Sequence, residues 1–315
     1  METVNKMILT VSLNPAIDKT CKIDSLACGK VNRLKEVHEF AGGKGINVTR
    51  ILRLLDADVI ATGFLGGYNG NFIEKAVEKV KAEPAFIHIS SNTRVNTNII
   101  EDNGNVTEIL ENGPVITERE RALFLSEYEK QLDRCSTVVI SGSLPAGIEL
   151  DFYNRLIKKA KEKDKMIIVD TSSYPLKNAI MVKPNMIKPN INEMEFLVGK
   201  ELSNPSIIAD EAKKLVKEGI EHVVVSMGKR GSIYVGANRA FWAISPSLDV
   251  VNTVGCGDAM VAAYAYGFDN KKNIVDIIKL AVGVSAANTL TAESGVVDIG
   301  KAYEISEQTA IREID

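Results

Sequence analysis

Val250–Tyr266, VVNTVGCGDAMVAAYAY, decides how the rest of the chain is read. Two glycines bracket Cys256, an acid follows at once, and small apolar residues then run on at helical spacing. Gly255 and Gly257 permit a tight turn. A helix beginning near Cys256 would present its unpaired N–H groups and positive dipole end to one spot, which makes an anion site. Asp258 would repel an anion if it were only a surface charge there; as a base held against an incoming hydroxyl it makes sense beside a phosphate. The same GxGD pattern also describes a glycine turn with an aspartate at the helix start, so its neighbours must choose between the two.

Outward from this turn, apolar, β-rich runs at Ile8–Leu13, Val59–Gly63, Thr137–Ser141, Met166–Asp170, Met186–Lys188 and His222–Ser226 alternate with helical patterns. The helices are expected near Ile46–Leu55, Phe72–Val80, Glu118–Asp133, Phe152–Lys163, Glu193–Leu197 and Ala209–Glu218. Such alternation predicts an α/β fold, a mostly parallel central sheet with helices on both faces. Ligands on sheets of this kind collect beyond the carboxyl ends of the strands. Residues 14–18, 141–145, 188–193 and 226–231 fall there with the Gly255 turn, and suggest one shared crevice.

Two stretches break the alternation. Lys19–Phe40 and Ala85–Glu111 read as short alternating strands, the second with an Asn103-Gly104 hairpin signal. They are expected to form a small β-sheet lid over the crevice or against a partner chain. The chain then divides into an α/β core of residues 7–17, 41–84 and 112–315, a discontinuous lid of residues 18–40 and 85–111, and an N-terminal extension of residues 1–6.

Composition narrows the classes. A chain of 315 residues, 45% hydrophobic and 25% charged, can bury a large core. A net charge of −3 gives no reason to expect nucleic acid or an anionic membrane as partner. No apolar run approaches the roughly 20 residues a membrane span needs, and METVNKMILT lacks a signal-peptide core, so a cytoplasmic protein is expected. The four cysteines lack CxxC spacing and the three histidines are scattered, which argues against a zinc or disulfide framework. Cys256 stands apart, because a helix start can lower a thiol's pKa.

Further candidates follow from residue chemistry. Gly42-Gly43-Lys44-Gly45-Ile46-Asn47 opens a helix, so its amides and Lys44 could hold an oxyanion or sugar hydroxyls, with Asn47 one turn in. It has neither Walker A nor GxGxxG spacing, and an ordinary glycine-rich helix start fits equally. Arg94, in Thr93-Arg94-Val95-Asn96, offers a fork suited to a phosphate, although a solvated strand arginine looks the same. Asp18 could accept two sugar hydroxyl protons or cap a turn. Asn190 and Glu193 could orient a magnesium–water shell or simply cap a helix.

Taken together and in order, GGKGINV (Gly42–Val48), TRVN (Thr93–Asn96), SGSLP (Ser141–Pro145), KPNINE (Lys188–Glu193), VSMGKRG (Val225–Gly231) and NTVGCGD (Asn252–Asp258) resemble the PfkB, or ribokinase-like, carbohydrate kinases over nearly the whole chain. LTVSLNPAID and the lid sequence point to the hexose-phosphate branch, which holds 1-phosphofructokinase and tagatose-6-phosphate kinase. TRVN with PSLDVVNTVG is more similar to the former.

The resemblance implies ATP and Mg²⁺ as cofactors, a phosphorylated ketohexose as substrate, and, in some relatives, a monovalent cation. Asp258 would be the catalytic base, with the amides of Gly255, Cys256 and Gly257 as anion hole. Asp18, Gly42, Gly43, Lys44, Asn47 and Asn96 would hold the sugar, with Arg94 near its phosphate. Lys188, Asn190, Ser226, Gly228, Gly231 and Asn288 would bind ATP, and Glu193 would support Mg²⁺ through water. Where the family's turn usually reads GAGD, Cys256 replaces alanine; the amide should serve unchanged, and the thiol should add oxidation sensitivity. A homodimer joined through the lid is also expected.

Overall fold

The β-branched runs become strands buried on both faces. In this computed structural model, which describes residues 7–237, 239–291 and 293–314, the expected extension at residues 1–6 lies outside the described residues. The chain begins β1 (Met7–Ser12), β2 (Ala16–Ile23), β3 (Glu36–Gly42), α1 (Lys44–Leu54), β4 (Val59–Gly66), α2 (Gly67–Lys79), β5 (Glu83–Pro84), β6 (Ile87–Ile89), β7 (Arg94–Glu101) and β8 (Val106–Leu110). It continues α3 (Glu118–Leu132), β9 (Cys135–Ser141), α4 (Phe152–Lys161), β10 (Met166–Asp170), α5 (Ser173–Met181), β11 (Met186–Ile187), α6 (Ile191–Val198), α7 (Pro205–Lys217) and β12 (His222–Ser226). Last come β13 (Ser232–Val235), β14 (Ala240–Ile244), α8 (Cys256–Asp269), α9 (Ile274–Asn288), α10 (Ile299–Gln308) and β15 (Ala310–Glu313).

The central sheet runs β15-β14-β13-β12-β11-β10-β9-β1-β4-β5, with β6 also on β4. β1 lies inside it, parallel to β4 and to β9, with Thr10 between Ala61 and Val139. Because successive strand residues face opposite ways, Ile8, Val139 and Ile168 join one core and Leu9, Val138, Ile140, Ile167 and Val169 the other. The first core is closed by α1, α8 and α9, and the second by α3, α4 and α7. Helix α4 shows the pattern: Phe152, Tyr153, Leu156, Ile157 and Ala160 are buried, while Lys158, Lys159 and Lys161 make up its last turn.

Beyond β12 the sheet departs from the expected parallel order. β13, β14 and β15 are antiparallel, added through the short 3₁₀ turn Gly228–Arg230 and the C-terminal strand. Helices α5 and α10 were also absent from the sequence reading. Among the described residues, no helix is long and apolar enough to cross a membrane.

A second sheet, ordered β3-β2-β7-β8, stands beside the first. β2 and β7 are parallel, pairing Ala16 with Arg94 and Asp18 with Asn96, and the outer strands are antiparallel. The Asn103-Gly104 hairpin joins β7 to β8, where Gly104 donates to the Glu101 carbonyl. The second segment differs at its start: Ile87–Ile89 pairs with β4, and buried Phe86 and Ile89 tie it to the main body, so the small sheet takes over only at Arg94.

Candidate active site

Two backbone features bring the strand ends together. Gly255 adopts a left-handed conformation, φ 82°, that a side chain rarely permits, and this aims the first turn of α8 into the crevice. Gly42 closes β3 so tightly against β2 that an added Cβ would collide with the Asp18 carboxylate. Glycine there lets the chain pass Asp18 and enter α1 with Lys44 and Asn47 on the same side.

At the start of α8, Asp258 is 5% exposed and accepts a hydrogen bond from Asn47 Nδ2 at 2.8 Å. Burial pushes its carboxyl up to about 7, and Lys44 pulls the other way without cancelling that effect. A carboxyl near neutrality can both take and hold a proton, as a general base requires. Behind it lies Asp170, the last residue of β10 and fully buried. Lys44 Nζ lies 3.2 Å from both Asp170 oxygens, and Lys188 Nζ 3.3 Å from Oδ1. Burial works against the Asp170 anion, yet Lys188 and Lys44 hold its carboxyl below the usual range. Lys44 is held above the ordinary lysine value, its burial outweighed by Asp170 and Asp258.

Towards the small sheet, Asp18 accepts from Asn96 Nδ2 at 3.0 Å, and burial raises its carboxyl despite Asn96 and Arg94. Arg94 reaches inward from β7, donating to the Asn14 carbonyl at 3.1 Å and the Glu111 carbonyl at 3.0 Å. Three buried amide oxygens nearby, on Asn14, Asn47 and Asn96, lack a protein hydrogen-bond partner. Orphaned acceptors are costly unless something supplies donors, and a polyhydroxylated ligand would. On the other side of the α8 turn a groove of about 520 Å³ is lined by Ser226, Gly228, Gly231, Leu248, Met260 and Val282. Its apolar walls beside a glycine turn at a helix N-terminus suit a nucleotide. A smaller cavity, about 330 Å³, lies between α7 and the β13–β14 edge and contains none of these residues.

The sequence pattern of the pfkB family carbohydrate kinases matches residues 11–297. The chain belongs to that family. Among solved PfkB-like structures, a possible 1-phosphofructokinase from Thermotoga maritima is 27% identical, with TM-score 0.88, covering 98% of this chain and 100% of that one. Phosphofructokinase-2 from Escherichia coli in its tetrameric inhibited form is 26% identical, TM-score 0.88, covering 96% and 99%. The same enzyme in complex with substrates and products is 25% identical, TM-score 0.88, covering 96% and 99%. A structure of it with potassium is also 25% identical, TM-score 0.89.

On this PfkB scaffold, Asp18, Gly42, Gly43, Lys44, Asn47, Arg94 and Asn96 gather on the small-sheet side of Asp258, and Ser226, Gly228 and Gly231 on the groove side. Other residues sit differently from expectation. Asn288 is fully buried: its Nδ2 donates to the Val254 carbonyl at 2.8 Å and its Oδ1 accepts from Gly295 N at 3.0 Å, so it holds the glycine loop. Lys188 is 3% exposed and off the groove wall; its ammonium lies by Gly257, 3.1 Å from where a Cβ would stand. Asn190 and Glu193 form a complete capping box at α6, the ordinary alternative for that spacing. Cys256 is the reverse of the low-pKa reading, since burial pushes its thiol up and outweighs the Asn288 amide beside it. Asp170 was not singled out at all. An aspartate closing a parallel strand was its one signal, and two lysines far away in sequence give it meaning.

Proposed function

We propose that the protein transfers the γ-phosphoryl group of ATP to a ketohexose phosphate, D-fructose 1-phosphate giving fructose 1,6-bisphosphate. The observation that carries this reading is Asp258: buried, clamped by Asn47 and lying between a groove of nucleotide size and a cluster of unsatisfied sugar-type acceptors. In the reaction, Asp258 takes the proton of the attacking hydroxyl as that oxygen closes on phosphorus. The first-turn amides of α8 and the ammoniums of Lys44 and Lys188 face the charge on the transferring group. Asp18 and Asn96 hold sugar hydroxyls, and Arg94 engages the phosphate already on the sugar. Some of the carbonyl bonds Arg94 makes in this structure would then be exchanged for stronger, charge-assisted ones.

Mg²⁺ would be carried mainly by nucleotide phosphates and water. Glu193 uses Oε2 for the Asn190 amide, and its other oxygen would reach a metal-bound water. Bound there, the ion would spread charge across the transferring phosphate. A homodimer joined through the small sheet belongs to the same reading, supported by exposed Val37, Val106, Ile109 and Leu110; a purely monomeric profile in sedimentation would remove it.

Tagatose 6-phosphate is the second acceptor to consider, since its product is likewise a ketohexose bisphosphate. ADP release with fructose 1-phosphate, fructose 6-phosphate, tagatose 6-phosphate and the free sugars tests the assignment. The highest kcat/KM should fall on fructose 1-phosphate. No turnover of any phosphorylated ketohexose would overturn the proposal.

A further inference from the structure

We propose that Asp170 is a positioning residue that ties Lys44 and Lys188 to one point, so that two ammoniums rather than one face the phosphoryl group at the start of α8. The inference rests on the phosphotransfer reading above and adds a residue to it.

The geometry is specific. Asp170 ends β10, beside Ser141 of β9, and is 0% exposed. Lys44 comes from the first turn of α1 and Lys188 from the residue after β11, yet both ammoniums lie within 3.3 Å of its carboxylate. Two ammoniums drawn this close repel each other, and Lys188 is additionally 3% exposed. Burying such a charge is costly unless it is paired, and Asp170 supplies the pairing. Lysine chains are flexible, so an anchored ammonium reaches the transition state with less ordering left to do. The two stand differently towards the crevice: the Lys44 side chain is 37% exposed, whereas Lys188 approaches from beneath Gly257.

The groups around this cluster are few. Asp170 faces Lys44, Lys188, Asp258 and the Tyr153 hydroxyl, which itself donates to the Gly142 carbonyl. Asp258 faces Lys44, Asp170, Lys188, Asn47 and Cys256. Lys44 also faces Glu193. Removing the negative charge at position 170 therefore favours ionisation of Asp258, and removing either lysine disfavours it.

Asp170→Asn tests this in the full-length protein. The acceptor should be whichever sugar the wild type turns over fastest, so that a wrong sugar fails the substrate assignment without touching the tether. The expected result is a kcat lowered about 10- to 100-fold, with KM for the sugar changed by less than about threefold. The acid limb of kcat/KM should move to lower pH by about one unit. A kcat within twofold of wild type, or an acid limb that stays in place, overturns the proposal. Should melting show that Asp170→Asn does not fold, Lys188→Gln decides: a lowered kcat with the acid limb moved to higher pH supports the tether, and an unmoved limb refutes it.

Discussion

Asp258→Asn should disable the enzyme and at the same time stabilise it, by an amount that grows with pH. Asparagine is nearly isosteric, and its side-chain oxygen can still accept the hydrogen bond from Asn47 Nδ2. What disappears is a buried charge. The carboxyl titrates near 3.8 in an unfolded chain and near 7 in the fold. Between those values the folded protein keeps a proton that the unfolded chain has lost, so stability from this group falls as pH rises from about 4 to about 7 and stays low above that. At about 1.4 kcal/mol per pKa unit, a difference of about three units costs ~4 kcal/mol at pH 8. At pH 5 the same relation gives ~1.7 kcal/mol, so the advantage of the variant should widen by ~2.5 kcal/mol between the two. Urea unfolding of both proteins at pH 5 and pH 8 measures that widening, while turnover should drop by about two orders of magnitude or more. An advantage that is flat with pH, or a variant less stable than wild type at pH 8, would refute the idea that burial holds this carboxyl near neutrality.

Arg94→Ala should raise KM for the sugar phosphate at least about tenfold while kcat stays within about threefold, because on the proposed reading the side chain meets a phosphate that does not react; initial rates at varied sugar phosphate decide it, and an unchanged KM removes Arg94 from the sugar site. Cys256→Ala should keep kcat and the KM for ATP within about twofold, since the turn uses the amide and not the thiol. In the wild type, iodoacetamide at neutral pH should label exposed Cys28 ahead of Cys256, whose thiol burial pushes up; mass spectrometry showing the opposite order would contradict that. Asn288→Ala leaves the Val254 carbonyl and the Gly295 amide without their partner and should cost ~2–3 kcal/mol in urea unfolding, with the KM for ATP rising more than the KM for sugar.

The parallel part of the fold was legible because runs such as Met166–Asp170 are apolar on both faces, and turn residues follow them. The antiparallel edge was not. β13 and β14 carry the same apolar content, and the reversal between β12 and β13 depends on the positive-φ glycines 228 and 231 around a three-residue turn. Among site residues, Asp258 and Asn47 could be anticipated from their glycine-rich surroundings, which restrict what a backbone can do there. Asp170 could not: its importance comes from lysines 126 residues before it and 18 after, a meeting that only the completed sheet creates. Asn288, placed on the ATP side by the resemblance alone, has a second role that no local pattern announced: it bonds the Val254 carbonyl and the Gly295 amide, partners that only the folded loop brings to it.

The two sides of the candidate site come from opposite ends of the chain. Asp18, Asn47 and Arg94 belong to the first third of the chain, whereas the glycine turn and Asp258 lie beyond residue 250 and dock on α1 through Asn47. On the proposed reading, a ribosome-bound or proteolysed fragment ending before that turn would keep Asp18, Asn47 and Arg94 and lack the glycine turn and Asp258. Turnover, on that same reading, would therefore report that α8 has docked on α1.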